Sequence, residues 1–335
     1  MSLTFKVFKG DKSGAPKEST TTKPEKLTGD KVLIKVTASG LCGTDLHYRT
    51  DDMVLGHEGV GIVQSLGPDC TLLKKGDRVG WGYEHDSCGH CHQCLSGEEQ
   101  YCAGRVMYAL HDRDQGSFAS HAIWREAFLF KIPDSMPDED AAPLMCGGAT
   151  VFNALHAYSA LPTETVGVMG VGGLGHLAIQ FAAKMGCRVV VISGTESKKE
   201  EAMRLGAHEF IATSGKTELK VTHSIDRLLV TTSVQPDWSQ LVPILSPGAS
   251  IHPLSVVDGN FAIPYFPLIA MAFTVQGSIV ASRYVQKRML DFAALHQIKP
   301  VLEIFPMTEA GILESMDKLE KGQIHFRAVL KPELK

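Results

Sequence analysis

Val166-Gly-Val-Met-Gly170-Val171-Gly172-Gly173-Leu174-Gly175 is the stretch on which the fold turns. Val166 to Met169 reads as a short buried strand, and Leu174 to Met185 as a helix of small and apolar residues. Between them stands Gly-x-Gly-x-x-Gly in the strand-to-helix context that gives this motif meaning. Gly170 permits a tight turn, Gly172 lets backbone approach a pyrophosphate, and Gly175 lets helix and strand pack closely. The helix N-terminus favours the phosphate charge. The plainer alternative is a glycine-rich turn without a ligand.

Downstream, apolar strands and helices keep alternating. Arg188 to Ser193 is a strand, Lys198 to Leu205 a helix, and Glu209 to Ala212, Arg227 to Thr231 and Ala249 to Leu254 are further strands. Such a series makes a parallel sheet covered on both faces, the doubly wound α/β arrangement. Upstream the texture differs. Lys31-Val-Leu-Ile-Lys-Val-Thr37 alternates with period two, and Gly59 to Gln64 and Asp77 to Trp81 look similar. Phe118 to Ile132 adds strand-like runs, and Ala149 to Tyr158 is helix-like. Asp11 to Asp30 is polar and turn-rich and is expected to be a surface loop. A helix from Val285 to Leu295, a short strand and a helix from Glu309 to Lys321 follow.

A length of 335 residues allows two domains. The net charge of −4 argues against nucleic-acid binding, which needs a basic face. No apolar run is long enough to span a membrane. Met1-Ser-Leu-Thr-Phe-Lys6 lacks the apolar region of a secretory signal, so a cytoplasmic protein with reduced cysteines is expected.

Under reducing conditions, clustered cysteines point to metal. Cys88-Gly-His-Cys91-His-Gln-Cys94-x7-Cys102 offers four thiolates, the closed shell of a structural zinc. Cys42, His57 and Cys146 form a scattered trio with a place left open, as a catalytic zinc requires. Thr44 and His47 follow Cys42 closely and can move a proton between a substrate oxygen and solvent. A metal that polarises a carbonyl, joined to a nucleotide fold, implies hydride transfer. The second strand of the nucleotide fold ends at Ser193, where an NAD site usually has an acid. Ser193 and Lys198 suit a 2′-phosphate, which favours NADP(H) over NAD(H), while Glu196 would oppose it. Lys198 and Lys199 can also be read as a solvated helix start.

These motifs together resemble the zinc-dependent medium-chain alcohol dehydrogenase family, in particular its NADPH-dependent, cinnamyl-alcohol-dehydrogenase-like branch. The matching residues are Cys42-Gly-Thr-Asp-Leu-His47, Gly56-His57-Glu58, Gly76-Asp-Arg-Val-Gly80, the four-cysteine lobe, Cys146 with Thr150, Gly170 to Gly175, Ser193 with Lys198, Gly277-Ser278 and Phe326-Arg327. The resemblance implies a GroES-like β-rich catalytic domain from residues 1–149 and 286–335, and a Rossmann domain from 150–285. It implies two zinc ions per chain, with Glu58 as an adjacent or exchanging ligand beside Cys42, His57 and Cys146. It puts Thr44 and His47 in a proton relay. It implies cofactor contacts from Thr44, Thr150, Val171, Gly173, Leu174, Thr231, Ser278, Ile279 and Val280, with Arg327 approaching the phosphates. It also implies a homodimer joined through the Rossmann domain.

The chain departs from the family in places. Fifteen positions separate Cys42 from His57, where over twenty are common, which predicts a more open pocket mouth. Gly194 stands where NADPH-preferring relatives often carry Ser or Arg, and Pro253 and Ala281 stand near usual glycines. Trp81, Tyr108 and His111 are candidate pocket residues by position, or ordinary packing. The expected function is an aldehyde reductase or alcohol dehydrogenase for an aromatic or medium-chain small molecule. The alternatives are an NAD-linked secondary-alcohol or polyol dehydrogenase, an iminium or C=C reductase, and a non-catalytic nucleotide-binding zinc protein.

Overall fold

The computed structural model describes residues 2–257 and 259–333. Two compact units divide the chain. One contains the chain up to Gly147, together with Ala281–Leu295 and the stretch from Lys299 onward; the other contains Gly148–Val280 and His296–Ile298.

The second unit is built on six parallel strands. Their order across the sheet is Glu209–Ala212, Arg188–Ser193, Thr165–Met169, Ile225–Val230, Leu245–Pro253 and Thr274–Val275. Numbered along the chain this is 3-2-1-4-5-6, the Rossmann order, which opens a crevice beyond the carboxyl ends of strands one and four. Val166, Val168, Val189, Val190 and Val191 are buried completely, as both-face coverage demands of such runs. The glycine turn lies at the end of the first strand. Gly170 bends the chain at φ 97°, and a Cβ on Gly175 would lie 2.0 Å from the Gly170 carbonyl oxygen. Only glycine lets helix Gly175–Lys184 start so close to the turn. The edge strand Thr274–Val275 is short and exposed, and its sequence carries no alternation to reveal it.

The first unit is organised by one long strand, Lys31–Leu41. Its exposure alternates from Lys31 to Val36, and Ala38 to Leu41 are buried throughout. It pairs antiparallel with Glu58–Leu66, with Arg327–Lys331 and with His121–Arg125. Leu302–Pro306 extends this sheet on one side, and Arg78–Trp81 and Phe130–Lys131 on the other. Ile34, Leu55, Trp81, Phe118 and Trp124 fill the core against it. The polar segment expected to be a loop is a strand over Lys17–Pro24, paired antiparallel with Ser2–Lys9. Its β-branched threonines suit a strand, and only Thr21 is buried, so no apolar alternation announced it. Among the described residues no helix is long and apolar enough to cross a membrane.

Gly175→Ala is expected to cost about 1–3 kcal/mol, because backbone rather than a flexible side chain must yield. Gly172→Ala, with no atom within 4 Å of the added Cβ, leaves stability nearly unchanged. Thermal denaturation of the two variants checks the contrast.

Candidate active site

The metal ligands meet because of strand register. Gly40 pairs with Glu58, so Cys42, just past one strand, and His57, just before its neighbour, come to the same end of the sheet. Cys146 follows the short helix Ala142–Met145. One ligand atom each from Cys42, His57, Glu58 and Cys146 lies within 4.8 Å of every other.

Asp45 organises this group. It is completely buried in the short helix Gly43–His47. One carboxylate oxygen accepts the Cys42 backbone N–H at 2.9 Å. The other faces His57 Nδ1 at 3.0 Å, the Tyr108 hydroxyl at 3.0 Å and the Gly56 N–H at 3.3 Å. A proton on Nδ1 leaves Nε2 with a lone pair, and that buried atom has no hydrogen-bond partner among the described residues. An orphaned imidazole nitrogen beside two cysteine sulfurs fits a metal ligand set, with Asp45 in the orienting role that ligating histidines usually have. Burial opposes charge on His57, but Asp45 and the Cys42 sulfur outweigh it and hold the imidazole well above its ordinary pKa, so a metal at Nε2 would have to displace a proton from that atom. The Cys146 thiol beside Cys42 holds the Cys42 pKa down, and Cys42 with burial pushes that of Cys146 up.

Glu58 is buried beside the ligands. One carboxylate oxygen accepts the Gly147 N–H at 3.3 Å, and the other pairs with the Arg327 guanidinium. Burial pushes the Glu58 carboxyl up to about 7, against the pull of Arg327. A Cβ at residue 40 would fall 2.0 Å from the Glu58 carboxylate, so glycine is required to seat it. Arg327, expected near the cofactor phosphates, has a side chain 6% exposed; one guanidinium nitrogen pairs with Glu58, the partner a buried cation needs, and its Nε has no partner among the described residues.

The Thr44 hydroxyl is 3.7 Å from Cys42 Sγ, and His47 is exposed on the same helix. The three candidate pocket residues separate. Trp81 is core, packed on Trp124; His111 is exposed; Tyr108 is fully buried against Asp45. Tyr83, not singled out from sequence, stands edge-on to the His57 ring at 5.5 Å. Asp45 was also missed, although an acid three residues after Cys42 has the spacing of a capping box.

The second cluster is Cys88, Cys91, Cys94 and Cys102. Neighbouring sulfurs lie 3.5 to 3.9 Å apart. That is too long for a disulfide and close to the roughly 3.8 Å edge of a tetrahedron with zinc–sulfur bonds of about 2.3 Å. Backbone N–H groups of His90 and Cys91 hold the Cys88 thiol down at about 6.

In the nucleotide unit the Thr231 hydroxyl lies 2.9 and 3.1 Å from the Met169 and Gly170 carbonyl oxygens, tying strands one and four at the glycine turn. The space beside Gly172 is open, and the buried Ser278 hydroxyl has no partner among the described residues. Both observations fit a bound dinucleotide. Ser193 ends the second strand, and Lys198 Nζ donates to the Val171 carbonyl at 2.8 Å. Glu196 pairs with Lys199 at 3.2 Å. Thr150 is buried on helix Gly147–His156, while Ile279 and Val280 are half-buried after Ser278.

Two cysteine-bearing groups able to hold a metal in one unit and a Rossmann sheet in the other define a zinc-binding dehydrogenase. Residues 28–134 match the model of the alcohol dehydrogenase GroES-like domain, and residues 173–294 that of the zinc-binding dehydrogenase. An NADP-dependent alcohol dehydrogenase C of Mycolicibacterium smegmatis is 33% identical over 342 residues, covering 98% of this chain and 97% of that protein. The structure of a cinnamyl alcohol dehydrogenase from Sorghum bicolor superposes with a TM-score of 0.87 at 32% identity, covering 98% of each chain. That of a Helicobacter pylori enzyme described as CAD, complexed with NADP(H), gives 0.86 at 25% identity, covering 99% of each. The chain belongs to the zinc-dependent medium-chain alcohol dehydrogenase family, and cinnamyl alcohol dehydrogenases are among its relatives.

Elemental analysis of the native protein is expected to find two zinc ions per chain, one for each cluster. Cys42→Ala should retain one and melt near the native temperature. Cys88→Ala should melt markedly lower, because a structural zinc contributes directly to folding.

Proposed function

We propose that this zinc alcohol dehydrogenase works chiefly as an NADPH-dependent reductase of aromatic or medium-chain aldehydes. The convergence of Cys42, His57 and Cys146 within one buried cluster, next to Thr44, carries the carbonyl chemistry. Zinc, when bound there, supplies Lewis-acid polarisation of a carbonyl, and NADPH supplies the hydride. The chain's own residues do the rest. Cys42, His57 and Cys146 hold the metal, and Asp45 keeps the proton of His57 on Nδ1. The Thr44 hydroxyl, 3.7 Å from Cys42 Sγ, would give a proton to the substrate oxygen as that oxygen gains charge. Exposed His47 replenishes that proton from solvent.

Three observations support NADPH. The second Rossmann strand ends at Ser193 rather than at an acid, Lys198 is held at the glycine turn, and the opposing carboxylate of Glu196 is occupied by Lys199. The M. smegmatis relative is described as NADP-dependent, and the H. pylori structure contains NADP(H). The expected result is oxidation of NADPH by cinnamaldehyde, faster than of NADH, and abolished in Cys42→Ala. Lys198→Ala should raise KM for NADPH about tenfold, the worth of one charged hydrogen bond, and leave NADH unaffected. No turnover of any aldehyde by the zinc-loaded protein would overturn the reading in favour of iminium or C=C reduction.

We also propose a cytoplasmic homodimer joined through the nucleotide unit. Reducing conditions suit its cysteine clusters. Thr274–Val275 is the last strand of its sheet, and beside it in sequence the helix Tyr265–Ala270 exposes Tyr265, Phe266 and Ile269 by 83, 80 and 72%. A sheet edge flanked by bare apolar side chains is a liability unless covered, and a two-fold pairing covers both copies at once. Sedimentation should give a dimer for the native protein and a monomer for Phe266→Glu.

A further inference from the structure

We propose that Tyr108 is a positioning residue for the catalytic zinc, acting through Asp45 on His57. The inference rests on the metal site and is independent of the substrate and cofactor readings.

The geometry is closed on every side. The Tyr108 hydroxyl accepts the Gly56 N–H at 2.9 Å and donates to Asp45 Oδ1 at 3.0 Å. The same oxygen faces His57 Nδ1 at 3.0 Å. One phenol thus engages the backbone immediately before the ligand and the carboxylate that orients the ligand. Its ring lies 4.9 Å from the imidazole, tilted by 34°, and limits rotation of that ring from the side.

Asp45 needs such a donor. It is fully buried, and among the described residues its two oxygens receive only two backbone N–H groups, the imidazole and this hydroxyl. Removing one donor from a buried carboxylate leaves it less well held, and the imidazole that it orients is then less firmly fixed.

The placement of Tyr108 has its own cause. It follows strand Val106–Met107, which pairs with Glu84–Asp86. These two strands flank the four-cysteine lobe, Cys88 to Cys102, in sequence. The Tyr108 N–H donates to the Tyr83 carbonyl at 2.9 Å, continuing the pairing. The arm leaving the structural cluster therefore carries the phenol to the catalytic one. One connection between the two clusters runs through the Tyr108 hydroxyl, beside the contact that Tyr83 makes with the His57 ring.

The test is release of zinc from the zinc-loaded protein to a chromophoric chelator, without turnover. Native protein should release its two ions in separate phases. In Tyr108→Phe the catalytic phase should accelerate about tenfold, the lower end of the effect of removing an outer-shell partner. The structural phase should stay unchanged. Asp45→Asn should accelerate the catalytic phase further, and Tyr108→Phe added to it should do little more, since the hydroxyl acts on His57 through Asp45. A purely structural Tyr108 would instead shift both phases together or neither. An unchanged catalytic phase in folded Tyr108→Phe, or effects that multiply in the double variant, would overturn the proposal. Should Tyr108→Phe fail to fold, 3-fluorotyrosine incorporation replaces it: the more acidic phenol should slow the catalytic phase, and an unchanged rate would overturn the idea equally. A native protein retaining only one zinc would instead show that the metal reading itself had failed.

Discussion

A buried imidazole presents a lone pair to a metal only while its other nitrogen keeps a proton, and here Asp45 enforces that condition. The same carboxylate fixes the Cys42 backbone, so two ligands that adjoin different strands are held by one side chain. Asp45 can be buried because five-residue helix Gly43–His47 turns it inward directly after Cys42. The site is therefore organised from a charge outside the ligand set. Its neighbours are arranged accordingly. Arg327 answers the nearby Glu58, Tyr108 answers Asp45, and Gly40 leaves room for Glu58.

Much of this was legible in the sequence, because it is written in local patterns. The glycine turn between an apolar strand and a small-residue helix specified the Rossmann unit. Four cysteines within fifteen residues specified one metal cluster, and Cys42, Gly56-His57-Glu58 and Cys146 marked the other. What stayed hidden depends on contacts distant in the chain. Tyr108 and Asp45 are 63 positions apart, and Arg327 and Glu58 are 269 apart. A signal existed for the second pair. An acid opening the apolar strand Glu58–Leu66, and a cation opening the apolar strand Arg327–Lys331, each required a buried partner. The strand Lys17–Pro24 was hidden for the opposite reason: its faces are polar, and period-two alternation never appears.

The two halves of the chemistry are divided between units with different physical demands. The nucleotide unit relies on backbone, a turn whose glycines let peptide groups come close. The metal unit relies on charged side chains brought into a dry interior and matched one to one. Substitutions in the first act through steric fit, whereas those in the second act through unpaired charge.

The strand Arg327–Lys331 lies against Ser39–Leu41, and its first residue supplies the counter-charge to Glu58. During synthesis, everything from Gly148 to Val280 leaves the ribosome before that strand does. The parallel sheet can close while the metal site still has an unanswered carboxylate in its interior. Completion of the site thus waits for a segment translated after the whole nucleotide unit, and a ribosome stalled short of it would hold a folded nucleotide unit and an unfinished sheet.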